Sequence, residues 1–164
     1  MTPDEKQRFN AVVEEGIALQ EQLPWLNMVA VGGTVAALYA GHRYSTDVDQ
    51  VTRLLREHFD EATEQLEHWE GWRTNRINAP VLILGERHNV ELGVRQLIRT
   101  VPLATQIECG LRVPTPGEAL RIKAYLCTQR RATRDFVDVA ALSDILGPAT
   151  SRKALSYMNL VYPP

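Results

Sequence analysis

Between Val31 and Val51 the chain reads VGGTVAALYAGHRYSTDVDQV, and no other stretch restricts its folding as much. The apolar run Asn27 to Val31 lies between Pro24 and two glycines, which fits a short buried strand. Gly32-Gly33 permits a tight turn. Thr34 to Ala40 (TVAALYA) predicts a short helix, and Gly41 suits its left-handed C-cap. Asp47 to Thr52 then alternates polar and apolar, which predicts a second strand with its valines on the core face.

The chemistry of this stretch follows from its spacing. Side chains alternate across a strand, so Asp47 and Asp49 share a face. Two adjacent carboxylates are costly unless a cation neutralises them. Hard oxygen ligands suit Mg²⁺, which bridges onward to substrate phosphates. One or two ions so held would activate a hydroxyl and steady a leaving pyrophosphate. The Gly32-Gly33 turn offers backbone N–H groups and a positive helix end to the phosphates of an NTP, and Thr34 adds a hydroxyl. Alone, D-x-D often decorates an exposed strand and G-G often marks only a turn. Their order here, strand, G-G-T, helix, D-x-D strand, gives the functional reading its weight. Glu91, in VELGV, is the candidate third carboxylate, with Glu108 a weaker one. The plain alternative for Glu91 is a solvent-facing ion pair with Arg95.

The rest of the chain reads as scaffold. Its 164 residues suit one domain, with a sheet-containing core to about residue 113 and a helical part over 114–164. Thr2-Pro3-Asp4-Glu5 predicts a helix start with a capping box, and Pro24 ends that helix. Leu54 to Trp69 predicts an amphipathic helix with Glu57, Glu61 and Glu64 on its solvated face. Strands are expected at Trp72–Ile77 and Val81–Leu84, with Glu86 to Asn89 as a hairpin turn. Val90–Ile98 follows as a strand, its Val90, Leu92 and Val94 opposite Glu91 and Arg95, and Ile107–Val113 closes the set. Thr115-Pro116-Gly117-Glu118 repeats the helix-start pattern for Ala119–Arg130. Thr133 would cap a helix to Leu146, and Ser151–Leu160 forms a terminal one.

Composition removes several classes. A net charge of -2 supplies no overall basic field for nucleic acid. No apolar run reaches membrane-span length, and the polar, acidic MTPDEKQRFN is no secretory signal. Cys109 and Cys127 lack metal-ligand spacing and read as buried, reduced thiols of a cytoplasmic protein. His58 and His68 read as solvated, and His88 falls in the hairpin turn. Trp25, Trp69 and Trp72 read as packing, with Trp72 beside Arg73 and Arg76 the one pair suited to nucleic acid.

Gly32-Gly33-Thr34, His42-Arg43 and Ser45-Thr46-Asp47-Val48-Asp49 resemble the first motif of the AbiEii-like toxins. Those toxins belong to the DNA polymerase β-like nucleotidyltransferase superfamily. A second block, KAYLCTQRRATRDFVDVAAL, resembles that family's lysine, arginine and D-x-x-D pattern through Lys123, Arg130, Arg131, Arg134, Asp135 and Asp138. The resemblance spans roughly Val29 to Leu146. It implies an α+β, nucleotidyltransferase-like fold, a small mixed sheet flanked by helices. It implies transfer of a nucleoside monophosphate from an NTP with Mg²⁺. An RNA acceptor such as a tRNA end and a partner antitoxin are also implied. On that likeness Asp47, Asp49 and Glu91 would be metal ligands, and Gly32, Gly33, Thr34 and Arg43 would face phosphates. Lys123 would bind the triphosphate, with Asp138 orienting it or forming an ion pair with Arg134. Ser45 occupies the position of a serine that some antitoxins phosphorylate. A structural reading stands beside each: Lys123 as a side chain snorkelling past an apolar stripe, Arg43 as a surface arginine and Ser45 as a turn hydroxyl.

Three departures from the pattern keep other functions open. The third carboxylate is Glu91 rather than Asp, Gln50 stands where an apolar residue is common, and the chain ends soon after the second block. A non-catalytic nucleotide- or partner-binding member, an oligomer that completes the cleft in trans, and an enzyme with a small-molecule acceptor all fit these departures.

Overall fold

The computed structural model describes residues 1–162. Helix α1 (Pro3–Gln22) starts with the full capping box: Thr2 accepts from the Glu5 N–H, and the Glu5 carboxylate accepts from the Thr2 N–H. A 3-10 turn at Pro24–Leu26 leads into β1 (Val29–Val31). Helix α2 (Gly33–Ala40) ends on Gly41 in the left-handed region, and β2 (Asp47–Thr52) returns antiparallel to β1. Helix α3 (Phe59–Glu67) is followed by β3 (Arg73–Asn78), β4 (Leu82–Arg87) and β5 (Val90–Gln96). The five strands form one mixed sheet in the order β1-β2-β5-β4-β3, with only the β2–β5 pair parallel. A hairpin, β6 (Thr105–Glu108) and β7 (Leu111–Pro114), precedes α4 (Pro116–Arg130), α5 (Thr133–Leu146), α6 (Pro148–Leu155) and α7 (Met158–Val161). The class is the expected one, α+β with a small mixed sheet and a helical C-terminal part.

One sheet face is buried. Val48, Leu92, Val94 and Ile83 meet Phe9, Val12, Val13 and Leu19 of α1 and Phe59, Ala62 and Leu66 of α3. Gly16 lets α1 settle on β2, since a Cβ there would lie 3.2 Å from Val48 Cγ1. The second helix group packs around Val35, Ala36, Ala119, Leu120, Leu142 and Ala154.

Several expectations need correction. In β2 the buried residues are Val48, Gln50 and Thr52, so Val51 lies with the aspartates and not in the core. Gln50 takes the apolar place because its polar atoms are matched: Nε2 donates to the Gly16 carbonyl at 2.8 Å and Oε1 accepts from Gln20 at 2.8 Å. Helix α3 begins at Phe59 rather than Leu54. The Thr52 hydroxyl and the Gln96 side-chain carbonyl take the N–H groups of Leu54 and Arg56 and hold that stretch in turns. Residues 107–113 are two strands about a Cys109-Gly110 turn, both residues at positive φ, so Cys109 is exposed rather than buried. The hairpin turn between β4 and β5 is only His88-Asn89. The Thr115 hydroxyl caps α4, but the Glu118 carboxylate turns away from the cap to Arg99 and Arg121. Thr133 caps nothing, since α5 starts without a side-chain cap. Helix α6 starts at Pro148, and α7 is separate from it.

Candidate active site

The sheet's other face carries the candidate site, and cross-strand register lays it out in rows. Asp47 pairs with Glu91, Glu91 with Glu86, and Glu86 with Arg73. In the next row Asp49 pairs with Gly93, Gly93 with Leu84, and Leu84 with Arg76. Three acids therefore sit side by side across β2, β5 and β4, an arrangement that repels itself without cations. Arg73 answers Glu86 at 2.5 Å. Asp47, Asp49, Glu91 and Arg95 line one pocket with Asn75, the extra residue of a bulge in β3.

Each carboxylate of the D-x-D pair is held. The Ser45 hydroxyl, in a buried residue, donates to Asp47 Oδ1 at 2.8 Å. Thr34 is buried as well and donates to the Asp47 backbone carbonyl, so its hydroxyl fastens α2 to the start of β2. Arg95 Nε donates to Asp49 Oδ1 at 3.1 Å. Arg95 therefore serves Asp49, not Glu91 as its sequence neighbourhood suggested. Gly93 makes the geometry possible, because a Cβ at that position would collide with Asp49 Oδ1. Asp47 and Asp49 suit a hard divalent cation that keeps several waters and takes further ligands from phosphates. Among the described residues no three acid, histidine or cysteine side chains stand grouped as an ion site, and Glu91 lines the same pocket as the pair, in register with Asp47.

The second sequence block forms a buried lock. Lys123 is only 3% exposed, and its Nζ sits 2.9 Å from Asp135 Oδ1 and 2.8 Å from Asp138 Oδ2. Arg130 grips Asp135 through Nε at 2.6 Å and Nη2 at 2.8 Å. Asp138 also accepts two hydrogen bonds from Arg43, both at 2.8 Å, and lies 2.7 Å from His42 Nε2. The Arg130 hydrogen bonds lead in holding the Asp135 carboxyl down at about 2, against burial and with help from Lys123. Burial pushes the Asp138 carboxyl up, and the hydrogen bonds from Arg43, Lys123 and His42 more than reverse it. Lys123 thus stays inside the helix group instead of reaching an open cleft, and Asp138 pairs with it rather than with Arg134. The lock reaches the glycine turn through Arg43: a Cβ on Gly33 would fall 2.5 Å from Arg43 Nη2, so the guanidinium lies on the first residue of α2.

Beside the carboxylates is an apolar cleft of about 410 Å³, bounded by Val31, Val51, Leu97, Ile122, Tyr125 and Tyr162 among others. Val31 directly precedes the glycine turn and is in register with Asp49. The Tyr125 and Tyr162 rings stack at 4.1 Å. Arg99 holds the far wall, donating to buried Glu118 at 2.6 Å and to the Tyr162 hydroxyl at 3.3 Å. Trp69 and Trp72 stack on each other at 6.0 Å with Arg87 over Trp69, so Trp72 is engaged in packing.

Sequence reasoning singled out Asp47, Asp49 and Glu91, which line one pocket, but not the Arg95–Asp49 pairing, Asn75 or Gly93. A glycine inside a strand pattern signals a close approach, and Gly93 was that signal.

These features define a class by fold: a nucleotidyltransferase-like α+β sheet with a D-x-D strand beside a glycine turn. The chain superposes on the solution structure of the antibiotic-resistance factor ANT(2'')-Ia with a TM-score of 0.64 at 13% identity, covering 92% of this chain and 90% of that one. The crystal structure of ANT(2'')-Ia in complex with adenylyl-2''-tobramycin gives a TM-score of 0.61 at 14% identity, with 87% and 93% covered. JHP933 from Helicobacter pylori gives 0.56 at 16% identity, with 88% and 68% covered. No family model matches the chain. A 68-residue segment is 34% identical to the heme uptake protein MmpL11 of Mycobacterium tuberculosis. That match spans 42% of this chain and 7% of MmpL11, too little to place the chain in its family. Among the described residues no helix is long and apolar enough to cross a membrane.

Proposed function

We propose that the chain is a nucleotidyltransferase that moves a nucleoside monophosphate from an NTP to an acceptor hydroxyl. The observation that carries this is the pair Asp47 and Asp49 on the open face of β2, with Glu91 in register with Asp47 and the glycine turn next to Asp49. The acceptor oxygen attacks the α-phosphorus, the bond to the bridging oxygen breaks, and pyrophosphate leaves. Asp47 and Asp49 would hold Mg²⁺, which when bound neutralises charge on the phosphates. Ser45 keeps the Asp47 carboxylate aimed, and the first N–H groups of α2 face the phosphates, with Arg43, held by Asp138, packed against Gly33 behind them. Thr34 and Lys123 act in this reading through structure, the first on Asp47 and the second on Asp138. The nucleoside end lies in the apolar cleft beyond Val31 and Val51. Glu91, which lines the same pocket in register with Asp47, would take the acceptor's proton.

A small hydroxyl compound is the acceptor this reading favours. Its support is the end-to-end correspondence with ANT(2'')-Ia, a protein solved with adenylyl-2''-tobramycin. An RNA acceptor in a toxin–antitoxin setting is the second reading, supported by the two motif blocks and by exposed Arg76 on edge strand β3. The test is transfer of label from each α-labelled NTP, with Mg²⁺, to a panel of aminoglycosides and polyols and separately to tRNA. Labelled product and pyrophosphate are expected with at least one acceptor, and Asp49→Asn should lower the rate at least about a thousandfold. An Asp49→Asn variant as active as the wild type would sink the proposal.

A further inference from the structure

Asp49 reaches Arg95 because Gly93 leaves room between them. Arg95 is the single cationic residue lining the carboxylate pocket. Other nearby cations are committed elsewhere: Arg73 to Glu86, Arg43 to Asp138, Lys123 to Asp135 and Asp138, and Arg130, whose charge also reaches Asp49, to Asp135. Arg95 engages Asp49 through Nε alone, and its terminal nitrogens have no hydrogen-bond acceptor among the described residues. The pair is accessible, with the side chains 43% and 34% exposed. It occupies Asp49 Oδ1, one of the two oxygens this carboxylate offers a cation at the D-x-D pair. A guanidinium and a divalent cation cannot both stand close to one carboxylate at full strength, because they repel each other as well as compete.

We propose that Arg95 is a counter-ion gate. It neutralises Asp49 before the divalent cation arrives, is displaced from Asp49 when the cation binds, and then turns its planar donors to the phosphates of the nucleotide. An arginine suits both positions, since its fork matches a carboxylate in one and a phosphate in the other. This rests on the nucleotidyl-transfer reading above and adds a coupling to it: cation loading releases a phosphate ligand.

The test is Mn²⁺ binding, followed by electron paramagnetic resonance on the full chain, for the wild type, Arg95→Gln, Arg95→Lys and Asp49→Asn. Without nucleotide, Arg95→Gln should bind Mn²⁺ about threefold to fivefold more tightly, the range an exposed ion pair supports. At saturating Mn²⁺ the same variant should bind a non-hydrolysable NTP analogue about tenfold more weakly. Arg95→Lys, which keeps the charge and loses the fork, should return Mn²⁺ affinity toward the wild-type value and only partly restore analogue binding. A merely structural Arg95 would not raise metal affinity while lowering nucleotide affinity. If Asp49→Asn weakens Mn²⁺ binding but Arg95→Gln does not strengthen it, the gate is wrong and the site stands. If Asp49→Asn binds Mn²⁺ like the wild type, the cation is not at Asp49, and the nucleotidyl-transfer site falls together with the gate.

Discussion

Gly93 shows how much one missing carbon decides. Its register partner is Asp49, and a Cβ there would collide with the Asp49 carboxylate while standing 3.0 Å from Leu84 Cδ2. The carboxylate is the partner that must move, because its oxygen is the nearest atom and the far end of a rotatable side chain, while Leu84 on the same face stands farther off. Gly93→Ala should therefore swing Asp49 off its place rather than unfold the strand. The expected result is a loss of about tenfold or more in Mn²⁺ affinity, with a stability change of about 1 kcal/mol or less by urea unfolding. Unchanged Mn²⁺ binding in Gly93→Ala would show that Asp49 does not need this position.

At the scale of elements, the lock between α2, α4 and α5 depends on two aspartates with almost no solvent contact. Asp138 accepts from Arg43, His42 and Lys123, so Asp138→Ala leaves the buried Lys123 ammonium and the half-buried Arg43 guanidinium short of a counter-ion, and the expected cost is about 3–5 kcal/mol in urea unfolding at neutral pH. Acid should weaken the lock in a defined window. Asp135 is held near 2 against an ordinary value of 3.8, and Asp138 is held low as well, so both contribute stability above the unfolded value. That contribution is lost as pH falls from about 5 through 3.8 toward 2. The urea midpoint should fall between pH 6 and pH 3, and fall less in Asp135→Asn; equal falls would place the acid sensitivity elsewhere. The elements were legible where a signal is local. Strand β2 follows from its alternation, α1 from its capping box, and α2 from the glycines at both ends. What was not legible depends on partners distant in the chain. Gln50 is buried because Gly16 and Gln20 lie across from it, and Arg95 reaches Asp49 because β5 runs parallel to β2 in one register. For Lys123 the family resemblance did bring Asp138 to it, but nothing in its helix shows that Asp135 joins in and that the two aspartates bury the ammonium. Local pattern thus picked out the acids that the fold gathers in one pocket, while long-range register decided what each acid touches.

At the scale of the molecule, the apolar cleft is assembled from segments far apart in sequence: Val31 of β1, Val51 of β2, residues 97–103, Ile122 and Tyr125 of α4, and Val161 and Tyr162 near the end of the described chain. Only the completed fold brings these walls next to the glycine turn, with Arg99 and Glu118 pinning the 97–103 segment to α4. A nucleoside seated there would have its phosphates at Gly32-Gly33 and its α-phosphorus near Asp49, since Val31 and Asp49 are in register. Val51 is the position that separates the two halves of this arrangement. It points to the same face as Asp49 but forms part of the cleft wall, not of the carboxylate pocket. Val51→Trp would fill the cleft and leave both aspartates in place. Calorimetry with a non-hydrolysable NTP analogue should then show binding weakened about tenfold or more, because the indole takes the space the nucleoside would fill. Mn²⁺ binding without nucleotide should stay within about twofold of the wild type, less than one exposed ion pair would move it. If the analogue binds Val51→Trp as it binds the wild type, the nucleoside does not enter this cleft and must leave the phosphates along the open sheet toward Asn75 and β3.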